Sequence, residues 1–201
     1  PTVCIVDSDA AIRSALSALV STLPVHVLLF SDAETLLSDL PGEELACVIA
    51  EVDLPGRSGI QLVEEMVRKG RRVPTILLTS DSDVPTAVSA LQAGAVDFIE
   101  KPFNDELLLE SIRNALNLDI EQRASQSERA EIAARLAHLT PREHEVMEMV
   151  TNGRSNKEIA LTLGVSAKTV EAHRARVMEK MQAASLAQLV KMAIAARIAN
   201  R

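Results

Sequence analysis

The sequence predicts an α/β fold, a five-stranded parallel doubly wound domain, continued by a long helical linker and an all-α domain. Three observations predict it. Short β-branched apolar runs alternate with amphipathic stretches through the first 103 residues. Residues 104–136 contain neither proline nor glycine. The stretch from Leu139 to Met181 then carries three helix-start signals and two glycines placed as helix stops. The expected boundaries are 1–120, 121–137 and 138–201.

The apolar runs "TVCIVD" (2–7), "VHVLLF" (25–30), "ACVIA" (46–50), "PTILLT" (74–79) and "VDFIE" (96–100) read as buried strands. Between them, Ile12, Ala15, Leu16, Leu19 and Val20 recur at the spacing of one helix face. Leu62, Val63, Met66 and Val67 mark the third helix, and Ala87, Val88 and Leu91 the fourth. Five strand–helix units imply a parallel sheet covered on both sides, with polar chemistry at the carboxyl ends of the strands. After Asn104 the helical pattern runs on through Leu107, Leu108, Ile112, Ala115 and Leu116, then turns polar. One long helix is expected, with a flexible linker over 122–131 as the alternative. Ile120, Ile132 and Leu136 are candidates for a thin seam between two chains.

In the tail, Thr140-Pro141-Arg142-Glu143 and Ser155-Asn156-Lys157-Glu158 are capping boxes, and Ser166 offers a third N-cap. Gly153 and Gly164 stand where helix ends need left-handed backbone. Three short helices with two tight stops suit a helix-turn-helix unit, which presents one helix to a DNA major groove. On a helical wheel, Val170, Val177 and Met181 share the core side, and Lys168, Glu171, Ala172, Ala175, Arg176 and Glu179 lie opposite. Ala172 and Ala175 can make only apolar contact, for instance with a thymine methyl. Glu171 can accept from a cytosine amino group, and Arg176 can reach a base edge or a phosphate. Thr169, His173, Lys180 and Lys157 flank that face and read as phosphate contacts, with packing against neighbouring helices the standing alternative for His173 and Lys180. Arg174 lies near the core edge and is not assigned to the face.

Charge divides the chain the same way. Residues 1–137 hold 11 Lys and Arg against 22 Asp and Glu, while residues 138–201 hold 10 against 6. An acidic body with a basic tail fits a protein whose tail alone meets phosphate. There is no Trp or Tyr, and Phe30, Phe98 and Phe103 all precede the tail, so base-stacking platforms for single strands are not expected. No apolar run approaches the roughly 18 residues of a membrane helix, and no signal-peptide pattern is visible. A cytoplasmic protein without a membrane partner is expected. The chain opens on Pro1 rather than methionine, and a trimmed N-terminus is expected. Cys4 and Cys47 sit inside apolar runs and are expected as buried reduced thiols, a redox switch being the lesser alternative.

The strand ends carry polar residues in a telling order: "IVDSDAAIR", "AEVDLPGRSG", "LLTS" and "EKPF". This resembles the receiver domain of two-component response regulators, over residues 2 to about 120. With the tail included, nearly the whole chain resembles FixJ-type regulators of the NarL/FixJ family, which carry a LuxR-type DNA-binding domain. The stretch "AGAVDFIEKPF" and the tail motif carry the likeness most specifically. The resemblance implies a transcription regulator rather than an enzyme, with no catalytic residues.

In that family an aspartate four residues before a proline, at the end of the third strand, takes a phosphoryl group from a histidine kinase. Counting back from Pro55 reaches Glu51. Asp7 matches the first of two acidic residues that bind Mg²⁺ on the first strand, and Ser8 stands at the second. Thr79 and Lys101 match the switch hydroxyl and the phosphate-pairing lysine, and Phe98 the switch aromatic. Ser8 offers a neutral hydroxyl where octahedral Mg²⁺ expects a carboxylate, and the longer Glu51 pushes its carboxylate towards the place of metal and phosphate. The expectation is a receiver not phosphorylated in the usual way, with no cofactor and Mg²⁺ binding weak or absent. Three uses of such a pocket stand open. Glu51 reaches Lys101 or Thr79 and supplies permanently part of what a phosphoryl group supplies transiently. Or the pocket is a relic, and the signal enters through another surface, a partner or a small molecule. Or Asp9 or Asp53 compensates as metal ligand, leaving a conventional regulator weakly phosphorylated by a histidine kinase. Asp9 and Asp53 also read as solvated loop carboxylates.

A metal-dependent phosphatase using Asp7 or Asp9 as nucleophile is the rival enzyme, but it lacks a second acidic cluster and leaves the tail unexplained. An adaptor whose tail binds only protein is the other rival. The resemblance places a dimer face on the fourth helix and fifth strand, at Val84, Pro85, Val88 and Leu91 with Phe98. Core packing is the alternative for Val88, Leu91 and Phe98. The final helix, from Ser185 with Leu186, Leu189, Val190 and Ile194, either packs on the bundle or pairs with its twin. The partners implied are double-stranded DNA bearing an inverted repeat, a second copy of the chain, and a histidine kinase or RNA polymerase. If each copy neutralises about four phosphates, a dimer's log affinity is expected to fall with log salt at a slope near −7, which a titration of DNA binding against salt measures.

Overall fold

The computed structural model describes residues 1–199 except Glu43 and Ser82, with residues 197–199 as backbone alone. The chain forms two compact units, Pro1–Gln122 and Arg123–Arg201. In the first, strands β1 (Thr2–Val6), β2 (His26–Phe30), β3 (Leu45–Glu51), β4 (Thr75–Thr79) and β5 (Asp97–Glu100) alternate with helices. The helices are α1 (Ala10–Val20), α2 (Ala33–Ser38), α3 (Gly59–Arg68), α4 (Val84–Ala93) and the start of α5 (Asp105–Ala137). The strands form one sheet in the order β2-β1-β3-β4-β5, and every pairing is parallel.

All five expected runs are strands. Side-chain alternation feeds two cores. Cys4, Val6, Val48, Ala50 and Leu77 meet Leu36, Leu62, Met66 and Ala90 of α2, α3 and α4. Val3, Ile5, Cys47, Ile49, Ile76 and Leu78 meet Leu16, Val20, Leu108 and Ile112 of α1 and α5. The three central strands are therefore buried at every residue. Two strands correct the expectation of burial: in β2 His26, Leu28 and Leu29 are exposed, and in β5 only Ile99 is buried. Both are sheet edges, each with a neighbour on one side only. Cys4 and Cys47 point into opposite cores, which no disulfide can span. Burial pushes the Cys4 thiol up to about 12 and raises that of Cys47 further. Both observations favour buried reduced thiols over a redox switch.

Some helical positions also depart from the pattern. Ala15 and Val67 are exposed. In α4 the fully buried side chain is Ala90, while Val88 and Leu91 are 47% and 55% exposed. The small alanine lets this helix lie close, and its larger apolar neighbours turn outward. Helix α5 runs unbroken through 122–131. Of the three candidates for an inter-chain seam, Ile132 is buried and Leu136 packs against the second core, so only Ile120 is exposed.

The second unit adds α6 (Pro141–Thr151), α7 (Asn156–Leu163), α8 (Ala167–Met181) and α9 (Leu186–Ala199). Both capping boxes form, and Ser166 caps α8. Gly164 ends α7 with φ +65°, a left-handed backbone that favours glycine. Gln182 ends α8 at φ +52° without any such signal in the sequence. Helix α9 buries Leu189, Met192 and Ala193 on the bundle and leaves Leu186 and Ile194 exposed.

The strand order reverses between β1 and β3, and crevices at such switch points bind ligands. Gly59, the first residue of α3, packs against the end of β3 there. A Cβ at this position would lie 2.3 Å from the Glu51 carbonyl oxygen. Gly59→Ala is therefore expected to destabilise the first unit by about 1–3 kcal/mol, the range for forcing atoms into a packed site. Thermal or urea unfolding measures it.

Candidate functional site

Three strand ends meet at the switch point. Asp7 follows β1, Glu51 closes β3 and Lys101 follows β5. The Lys101 ammonium donates to Asp7 Oδ2 at 2.9 Å and to Glu51 Oε2. Asp7 and Glu51 are buried, and the lysine side chain is mostly covered. The remaining oxygens are also occupied. Asp7 Oδ1 accepts from the Asp9 N–H at 2.8 Å, and Glu51 Oε1 from the Val52 N–H at 3.2 Å. All four carboxylate oxygens thus already have donors within the protein. Arg13 of α1 adds a bond to the Asp7 carbonyl, a contact the sequence patterns did not mark.

The other pocket residues are placed differently. Thr79 is buried, but its hydroxyl donates to the Asp81 carbonyl at 2.9 Å and accepts from the Asp81 N–H at 3.2 Å. It is engaged by its own loop and not by Glu51. Asp9 caps α1, accepting from the Ala11 and Ile12 N–H groups. Ser8 and Asp53 are exposed. Phe98 is partly buried against the core shared with α2, α3 and α4. On α4, Val84 is 77% exposed and Pro85 is exposed beside it, so with Val88 and Leu91 the helix presents an apolar face.

In the second unit Lys168, Thr169, Glu171, Ala172, Ala175 and Arg176 are all exposed on α8, as the wheel predicts, and so is Lys157 on α7. The Thr169 hydroxyl meets that of Ser166 at 2.8 Å. His173 is half-buried, with Nδ1 enclosed and unpartnered. Lys180 follows the alternative of packing against neighbouring helices rather than that of a phosphate contact. Its ammonium donates to Glu143 Oε2 at 2.6 Å and to the His138 carbonyl at 3.2 Å. The physical reason is the buried Glu143 carboxylate, which needs a paired charge. Arg174 reaches Asn156 Oδ1 at 2.5 Å, and Arg142 reaches the Leu163 carbonyl at 2.7 Å. Both are functions that helical periodicity does not reveal, since each partner lies on another helix. Among the described residues no cluster of three or more His, Cys, Asp or Glu is arranged to hold a metal, and no helix is long and apolar enough to cross a membrane.

The family model described as response regulator receiver domain matches residues 3–113, and that of bacterial regulatory proteins, luxR family, matches residues 137–193. The transcriptional regulatory protein FixJ of Bradyrhizobium diazoefficiens is 42% identical over 196 residues, covering 98% of this chain and 96% of that protein. The response regulator protein TmoT of Ectopseudomonas mendocina is 38% identical over 188 residues, covering 94% and 86%. Among solved structures, that of response regulator StyR is similar with a TM-score of 0.82 at 34% identity, covering 96% of this chain and 98% of its own. Full-length FixJ from B. japonicum gives 0.59 at 42% identity, covering 98% and 97%.

The Lys180 hydrogen bond, then the Thr140 N–H, hold the Glu143 carboxyl down at about 2 from its usual 4.5. A lowered folded value contributes stability above the unfolded value and loses it as pH falls towards the folded one. The second unit is therefore expected to lose stability between about pH 4.5 and about pH 2. Glu143→Gln should flatten that part of the profile, measured by urea unfolding at each pH.

Proposed function

The chain belongs to the response regulators that join a receiver domain to a LuxR-type DNA-binding domain, and from that premise we propose that its receiver acts without a phosphoryl group. It is a DNA-binding transcription regulator of the two-component type, not an enzyme. Double-stranded DNA is the partner its second domain implies, and a histidine kinase the one its receiver suggests.

One observation carries the proposal: the Lys101 ammonium lies on the Glu51 carboxylate. In the proposed mechanism Glu51 stands where the family carries its acceptor aspartate and holds this lysine permanently. A carboxylate carries one charge against the −1.5 to −2 of a phosphoryl group, so the mimicry is partial. The position of Thr79 agrees with that, since its hydroxyl stays on Asp81. The donor set does not suit Mg²⁺, so no step is assigned to a metal. An octahedral ion needs oxygens free to turn to it, whereas those of Asp7 and Glu51 are held by Lys101 and backbone N–H groups. Ser8 is exposed, Asp9 is spent on a helix cap and Asp53 faces solvent, which leaves the compensating-ligand alternative without support.

The chain then works as a homodimer on an inverted repeat. The outward Val84, Pro85, Val88 and Leu91 support α4 as one contact between copies. Helix α8 reads bases through Glu171, Ala172, Ala175 and Arg176, while Lys157 and Lys168 meet phosphates. The expected result with a small acyl-phosphate donor and Mg²⁺ is no mass gain on the intact chain, and dimers without any donor. Glu51→Ala removes one partner of a buried pair. It should weaken both dimerisation and DNA binding by about tenfold or more, read by light scattering and a shift assay. Unchanged behaviour of that variant would falsify the proposal, as would a phosphoryl group gained at ordinary speed.

A further inference from the structure

Each pair of helices among α6, α7 and α8 is joined by one cation. Arg142 ties α6 to α7 through the Leu163 carbonyl at 2.7 Å. Arg174 ties α8 to α7 through Asn156 Oδ1 at 2.5 Å. Lys180 ties α8 to α6 through Glu143 at 2.6 Å. The packing around these ties is apolar, from Val146, Val150, Ile159, Val170 and Val177. Apolar attraction is non-directional, and the interlocking of side chains fixes a helix crossing only to within about 15–20°. Hydrogen bonds are directional and short, and they narrow that range. Asn156 is the first residue of α7 and Leu163 the last, so two guanidinium groups grip that helix at opposite ends.

From this geometry we infer that Arg174 and Asn156 form a positioning pair that determines sequence specificity. Their hydrogen bond sets the angle of α8 on α7. It thereby sets where Glu171, Ala172, Ala175 and Arg176 meet base edges, and Arg174 itself does not touch DNA. Charge is divided accordingly. Lys157, Lys168 and Arg176 are exposed and have no partner among the described residues, so they remain for the phosphates and bases. Arg174 is partly buried and committed to the protein. A base-edge contact must be placed closely to discriminate, whereas attraction to phosphates tolerates small displacements. Loosening the pair therefore costs selectivity before it costs general affinity. The inference rests on α8 being the DNA-reading helix.

The test uses the full chain and two duplexes: one recovered by the wild-type chain from a random-sequence library, and its scrambled version. Arg174→Met keeps the aliphatic packing and removes the donors. It should bind the selected duplex about tenfold more weakly, leave the scrambled duplex and the salt slope unchanged, and keep the melting temperature. Asn156→Ala should do the same, and the double variant should be no worse than either single one. Arg174→Lys, which retains a donor, should recover part of the selectivity. Equal weakening on both duplexes, with the salt slope flattened by about 0.9 per copy, marks Arg174 as a phosphate contact and overturns the inference. So do losses that multiply in the double variant, or an unchanged ratio between the duplexes. Should Arg174→Met not fold, Asn156→Ala and Arg174→Lys carry the same comparison. Arg176→Ala tests the premise separately: unchanged binding to the selected duplex removes α8 as the reading helix, whatever Arg174 does.

Discussion

The ammonium of Lys101 holds together a pocket that would otherwise repel itself. Asp7 and Glu51 are buried carboxylates at the ends of neighbouring strands, and like charges so placed repel each other unless a cation lies between them. Lys101 supplies that cation from the end of β5, two strands away from β3. Two backbone N–H groups complete the coordination of the carboxylates. The contact joins residues 50 and 94 positions apart in the chain. It therefore exists only once the doubly wound sheet has brought the strand ends to one edge. The close approach of Gly59 to the Glu51 backbone belongs to the same corner of the fold, where α3 begins against the end of β3.

The second unit solves a similar problem with less sheet and more side chain. Helices α6, α7 and α8 share an apolar core, and cations bridge them. The same residue types that give the tail its basic character are thus divided between two jobs. Arg142, Arg174 and Lys180 bind the protein to itself, while Lys157, Lys168 and Arg176 stay exposed. Net charge alone does not distinguish these groups. The surroundings do: a buried carboxylate, an amide at a helix start and an unpaired terminal carbonyl each attract one cation.

Much of this was legible in the chain. The central strands follow from continuous β-branched runs, since burial on both faces removes any need for polar alternation. The capping boxes at Thr140 and Ser155 appear as written, because their hydrogen bonds close within four residues. The exposed face of α8 follows from the helical period alone. Apolar composition did not reveal that β2 is an edge, or that Val88 and Leu91 turn outward, since strand order and the lie of α4 are properties of the assembled sheet. Gln182 in a left-handed conformation carried no signal at all.

What the sequence by itself determined are the elements, their order and the chemical identity of the pocket: a glutamate beside a serine, with a lysine to receive it. These are local facts of pattern, cap and residue type. Only the tertiary structure decided that Lys101 takes both carboxylates, that Thr79 stays with Asp81, that Lys180 turns to Glu143 and that Arg174 finds Asn156. Each of those outcomes is a competition among partners distant in the chain. It is settled by which donor the packed backbone brings within hydrogen-bonding reach.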